Sequence, residues 1–98
     1  MRRPLEFSEP LDEFIRHLAP EMKKKIRASL DEISLNPAWG NQLMEELKGC
    51  RSYKVGLLRV IYREREKAVE IVTIGPRRTI YQKAALEIQK KLHPHTRK

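Results

Sequence analysis

One cysteine, Cys50, stands in a chain of 98 residues. A single thiol excludes an internal disulfide, a multi-cysteine zinc site and an iron–sulfur cluster, and it suits a reducing compartment. No apolar stretch approaches the about 20 residues a membrane-spanning helix requires. The basic start, Met1-Arg2-Arg3-Pro4, has no apolar segment behind it, so no secretory signal is expected. No glycine-rich phosphate loop is present, which argues against a nucleotide-hydrolysing enzyme. Histidine is scarce at three. His17 falls on the polar side of a helix, and His93 and His95 straddle a proline near the C-terminus, which is weak evidence for a metal. Glu45-Glu46 lies on a short connector beside Lys48. Cys50 has no evident base nearby to make it a nucleophile. The conventional tools of acid–base, thiol and metal catalysis are therefore in short supply, and neither a metal nor a cofactor is expected.

Positive charge is abundant. Lys and Arg number 21 against 13 Asp and Glu, a formal net charge of +8, and 40% of residues are apolar. That composition supports one small folded domain over 1–98, with a flexible basic tail expected over 91–98. The charge is uneven along the chain. Residues 1–47 are slightly acidic, with seven basic and nine acidic side chains, whereas 48–67 and 68–98 each carry seven basic and two acidic. A field polarised this way suits a nucleic acid backbone or an acidic protein.

Periodicity sets out the elements. Leu5-Glu6-Phe7 reads as a short strand. Leu11, Phe14, Ile15 and Leu18 recur at helical spacing behind Ser8 as N-cap. Met22, Ile26, Leu30 and Ile33 mark a second helix, stopped at Asn36-Pro37. These two helices make an antiparallel hairpin, and Lys23-Lys24-Lys25 and Arg27 are taken as its solvated outer face. Residues 37–49 connect, with Trp39-Gly40 in a turn, helical character over Gln42–Leu47 and Gly49 as a C-cap. Beyond Cys50 the pattern alternates: Tyr53, Val55, Leu58, Val60 and Tyr62 share one face, and Ser52, Lys54, Arg59 and Ile61 the other, about a turn at Gly56-Leu57. Val69–Ile74 follows as a third strand, stopped by Gly75-Pro76. A final helix presents Tyr81, Ala84, Ala85, Ile88 and Leu92 on one face until Pro94. The expectation is an α+β fold: a short N-terminal strand, a two-helix hairpin packed on an antiparallel sheet and a C-terminal helix, with the helices on one face of the sheet.

In this register Lys54 faces Arg59 across the strand pair. Directly opposed cations repel, so the pairing makes sense where a negative group sits between them. Arg77, Arg78 and Tyr81 follow at the end of the same sheet. If that face is concave, the side chains form one basin: cations to hold phosphate, and a ring on which a base can stack.

The runs Leu47-Lys48-Gly49, Tyr53-Lys54-Val55-Gly56, Leu58-Arg59-Val60-Ile61-Tyr62-Arg63 and Val72-Thr73-Ile74-Gly75-Pro76-Arg77-Arg78-Thr79-Ile80-Tyr81 closely resemble the RelE/ParE toxin superfamily over roughly residues 5–90. The resemblance implies a RelE-like, microbial-ribonuclease-type sandwich and the toxin of a type II toxin–antitoxin pair. Its RelE-like branch, which the supply of Lys, Arg and Tyr favours, implies a cytoplasmic, metal-independent endoribonuclease that cuts mRNA in the ribosomal A site, yielding a 2′,3′-cyclic phosphate. By position, Lys54 then resembles the base for the ribose 2′-hydroxyl. Arg59 and Arg77 resemble the arginines that stabilise the transition state, and Tyr81 the aromatic that orients the mRNA. Lys48, Arg51, Arg78 and Lys83 are the further RNA-binding candidates. The implied partners are a cognate acidic antitoxin, the ribosome with its mRNA, and operator DNA through the antitoxin alone; no membrane is expected. The chain departs from the pattern at Ser52, where some RelE-like members carry another lysine. Two alternatives stay open: a ParE-like inhibitor of DNA gyrase without nuclease activity, and a degenerate toxin-like module that only binds and regulates.

Overall fold

A computed structural model describes residues 2–92 of the chain, with side chains through residue 90. Ser8 caps the first helix, α1 (Glu9–Arg16), accepting from the Leu11 amide, and Pro10 sits in the first turn. Acidic Glu9 and Asp12 open α1 and Arg16 closes it, each sign at the end the helix dipole favours. The apolar stripe is narrower than its spacing predicts: Leu11 and Ile15 are buried, but Phe14 is 37% exposed. The second helix, α2 (Pro20–Leu35), ends where Asn36 precedes Pro37 and leaves the helical region at φ −145°. Its buried row is Ile26, Ser29, Leu30 and Ile33, with Met22 partly covered.

Five strands build the sheet: β1 (Leu5–Glu6), β2 (Asn41–Gln42), β3 (Cys50–Val55), β4 (Leu58–Glu64) and β5 (Val69–Pro76), in the order β1-β5-β4-β3-β2. The sheet is mixed, because β1 runs parallel to β5 while every other pair is antiparallel. The last helix, α3 (Arg77–Leu92), begins on the residue after β5, with no loop between.

Two expectations need correction. The helices do not share one face. Leu11, Ile15, Ile26, Leu30 and Ile33 of α1 and α2 pack against Val55, Val60, Tyr62, Val69, Ile71 and Ile74 on one side. Ile80 and Ala84 of α3 pack against Leu47, Cys50, Ile61 and Val72 on the other. The reason lies in β4, where consecutive Val60, Ile61 and Tyr62 are all fully buried, which demands cover on both faces of the strand. The connector is also not helical over 42–47. Asn41–Gln42 pairs with Arg51–Ser52 as an edge strand, and a 3₁₀ turn at Glu45–Leu47 is what remains of the expected helix. Tyr62 anchors this segment: its hydroxyl donates to the Pro37 carbonyl (2.8 Å) and accepts from the Gly40 amide (2.9 Å). The side chain of Leu92, the tail over 93–98 and with it His93 and His95 lie outside the described residues.

Candidate functional site

The β3–β4 hairpin turns at Gly56-Leu57, with Gly56 at φ +59° and Leu57 not in the left-handed region, the type II′ pattern that favours glycine at its first position. That turn sets the register: Val55 lies opposite Leu58 and Lys54 opposite Arg59, as the alternation predicts. Next along, Arg59 pairs with Gly75 on β5. A side chain at Gly75 could not fit there easily, because a Cβ would lie 3.1 Å from Ile80 Cδ1. Glycine therefore lets the first turns of α3 settle close over the sheet, immediately beside Arg59.

Because α3 starts at Arg77 without a loop, the end of β5 fixes where that arginine stands. Tyr81, one turn later on the same helix face, is partly buried against the α3-side core. Its hydroxyl lies 3.5 Å from the Ser52 hydroxyl, at the outer limit of hydrogen bonding. Ser52 itself is buried and faces the same side as Lys54 and Arg59. Lys54, Arg59, Arg77 and Tyr81 thus converge at one end of the α3 face of the sheet. Arg78 adds a further cation in the first turn of α3. Lys54, Arg77 and Arg78 are exposed and Arg59 is half-buried.

Among the described residues, none of these four cations is in an ion pair. Opposed cations left unneutralised make this end of the sheet a place for an anion, and their side chains supply charged donors suited to phosphate oxygens. Tyr81 offers a ring at the rim.

The other expected RNA contacts do not join the cluster. Arg51 alternates onto the opposite face, where its guanidinium donates to the carbonyls of Gly40 (2.9 Å) and Ala38 (3.3 Å). It holds the connector, on the face away from Lys54 and Arg59. Lys48 sits in the turn before β3 and Lys54 lies near the far end of that strand, four residues and about 13 Å of extended chain beyond Cys50. Lys83 lines a separate cleft of about 250 Å³ with Phe14 and Val72–Ile74, toward α1. The Ser52–Tyr81 contact was not anticipated, although the alternation that put Ser52 on the Lys54 face was its signal. Cys50 is 2% exposed and burial pushes its thiol up, with Glu70 adding to the effect and Arg63 opposing it. A neutral, buried thiol is no nucleophile.

A family model described as the ParE toxin of the parDE type II toxin–antitoxin system matches residues 5–81. No curated protein matches the chain. Several solved structures are similar. RelE of Escherichia coli, a mutant in the free state, is 20% identical with a TM-score of 0.73, covering 94% of this chain and 99% of its own. The RelBE2 toxin–antitoxin complex of Mycobacterium tuberculosis matches at 22% identity and a TM-score of 0.67, covering 79% of this chain and all of that one. The YoeB–YefM complex of Staphylococcus aureus matches at 23% and 0.64, covering 76% and 97%. At such identities these likenesses describe the fold.

Proposed function

Since the chain belongs to the ParE toxin family of type II toxin–antitoxin systems, we propose that this toxin acts as a ribosome-dependent, metal-independent endoribonuclease. The observation that carries this reading is the unneutralised pair Lys54 and Arg59, directly opposed in the sheet, with Arg77 and Tyr81 brought to the same end. A scissile phosphate between these side chains would relieve their repulsion. Lys54 Nζ takes the proton from the ribose 2′-hydroxyl. The 2′-oxygen then attacks phosphorus and the bond to the 5′-oxygen breaks. That oxygen takes a proton from solvent water, and a 2′,3′-cyclic phosphate remains. Arg59 and Arg77 stay charged and follow the phosphate as negative charge grows on its oxygens. Tyr81 stacks or orients the nucleotide, its hydroxyl held toward Ser52.

The same reading places the toxin in the cytoplasm, held by a cognate acidic antitoxin and reaching operator DNA through that antitoxin alone. Primer extension on mRNA programmed into ribosomes tests it. Wild type should cut at the A site, and Lys54→Ala should not. Absence of cleavage by folded wild type would remove the nuclease reading. The match to a ParE toxin model favours the second reading that the resemblance implies, inhibition of DNA gyrase by binding. That reading gains if a Lys54→Ala/Arg77→Ala double variant stays fully toxic and lowers DNA supercoiling.

A further inference from the structure

The chain holds three tyrosines, and their hydroxyls are met differently. Tyr62 is fully buried, and its hydroxyl joins the Pro37 carbonyl and the Gly40 amide at 2.8 and 2.9 Å. Tyr53 donates to the Glu32 carboxylate at 2.6 Å, tying β3 to α2. Both belong to the packing on the α1–α2 side. Among the described residues, Tyr81 meets the Ser52 hydroxyl alone, at 3.5 Å, and either oxygen can be the donor.

Ser52 is 4% exposed, on the face of β3 that carries Lys54. A charged side chain at 52 would be buried beside four unneutralised cations, whereas a hydroxyl adds no charge there. Strands flank Ser52 on both sides, at Asn41 of β2 and Ile61 of β4, so its backbone is fixed. A buried hydroxyl needs a partner, and the Tyr81 hydroxyl is the one within reach. Tyr81 is fixed from the other direction. Its neighbours Ile80 and Ala84 are fully buried and set the rotation of α3 on the sheet, and the close approach at Gly75 brings the first turns of α3 down onto it. The contact therefore joins two rigid elements beside the cations.

A tyrosine can serve a nucleotide through its hydroxyl, as a proton donor, or through its ring, as a stacking surface. With the hydroxyl turned to a buried serine, the ring is what remains for the nucleotide. We infer that Ser52 is a positioning residue: its hydroxyl holds that of Tyr81, fixes the ring as a stacking surface and takes the Tyr81 hydroxyl out of the proton transfers. The hold is a property of the fold; its effect on turnover rests on the ribonuclease reading.

A double-mutant cycle tests the inference. Steady-state cleavage of ribosome-bound mRNA is compared for wild type, Ser52→Ala, Ser52→Thr, Tyr81→Phe and Ser52→Ala/Tyr81→Phe, with thermal melts beside each. Ser52→Ala should raise KM about 3- to 10-fold, the range for one hydrogen bond, with kcat near wild type, because stacking is alike in the bound and transition states. Tyr81→Phe should do the same, and the double variant no more than either. Ser52→Thr keeps the hydroxyl and should restore the wild-type KM. The hold itself is read without substrate, by nuclear magnetic resonance of protein isotopically labelled at tyrosine Cζ. The Tyr81 resonance, assigned by its absence in Tyr81→Phe, should shift in Ser52→Ala and return in Ser52→Thr while those of Tyr53 and Tyr62 stay; a general loosening would move all three. Additive losses in the cycle, a Tyr81→Phe variant whose kcat falls by about 10² or more, or an unmoved Tyr81 resonance in Ser52→Ala overturns the inference. No cleavage by folded wild type removes the ribonuclease reading alone. The Tyr81 resonance then decides the hold, sustaining it by shifting in Ser52→Ala and overturning it by staying.

Discussion

The two ends of the α3 face are both rich in arginine, and they treat it in opposite ways. At one end Arg63 donates to the Glu70 carboxylate at 2.9 Å and Arg65 does so at 3.2 Å, with Glu70 only 6% exposed. Arg3 reaches across to Glu64 and to the carbonyls of Arg65, Glu66 and Ala68, tying down the β4–β5 loop. At the other end Arg59, four residues before Arg63 on the same strand, faces Lys54 and meets no carboxylate among the described residues. A cation whose charge is met within the chain holds the fold. A cation set against another cation makes the fold less stable and is explained by something outside the chain. Arg59 and Arg63 stand on one face of one strand; the cross-strand partner, Gly75 for one and Glu70 for the other, separates them.

The sharpest break in this comparison is expected at Arg77. Arg77→Ala should lower cleavage of ribosome-bound mRNA by roughly 10²–10³, the range for losing one transition-state donor, without moving the melting temperature. Single-turnover rates beside a thermal melt check both halves of that statement. At the neutralised end the effect should reverse in kind. Glu70→Gln should cost about 1–3 kcal/mol of stability in a denaturant titration, since it removes the negative charge that two guanidinium groups meet, and the protein still folded should cleave normally.

Tyr62 sharpens the structural side further. Burial pushes its phenol above the usual tyrosine value of 10, with the Gly40 amide and Arg51 opposing. The raised value means that folding favours the neutral phenol. Its contribution is therefore fully present below about pH 10 and is lost as pH rises through the folded-state value. Tyr62→Phe should cost about 1–2 kcal/mol at neutral pH, by orphaning the Gly40 amide and Pro37 carbonyl, and should flatten the alkaline loss of stability. The smallest effect on stability has the opposite sign. Lys54→Gln should raise stability by a few tenths to about 1 kcal/mol, because it removes a like-charge cross-strand pair, while cleavage disappears.

Most of the hairpin was legible in the residues. A strict alternation about Gly56-Leu57 can be paired in one register, since a one-residue slip would put Lys54 and Arg59 into the core. Helix α2 was legible for the same reason, with proline at both ends and a continuous apolar row. What stayed hidden depends on long-range partners. Two residues at Asn41–Gln42 carry no periodicity, and they become a strand because β3 offers an edge and Tyr62 holds Gly40. The placing of α3 on the face opposite α1 and α2 was signalled by the unbroken run Val60-Ile61-Tyr62, but an alternating reading of one face overlooks it. The side of Arg51 was legible too: the alternation that puts Ser52 and Lys54 on one face puts Arg51 on the other.

The most direct measurement sets Arg59→Gln beside Arg63→Gln, two arginines on one face of one strand. Each is assayed for single-turnover cleavage of ribosome-bound mRNA, normalised to the folded fraction, and for melting temperature. Arg59→Gln should lose at least about 10² in rate with its melting temperature intact or raised, and Arg63→Gln should melt earlier yet cleave at the wild-type rate when folded. Equal rate losses in the two variants, or a destabilised Arg59→Gln that still cleaves normally, would contradict the division between met and unmet cations.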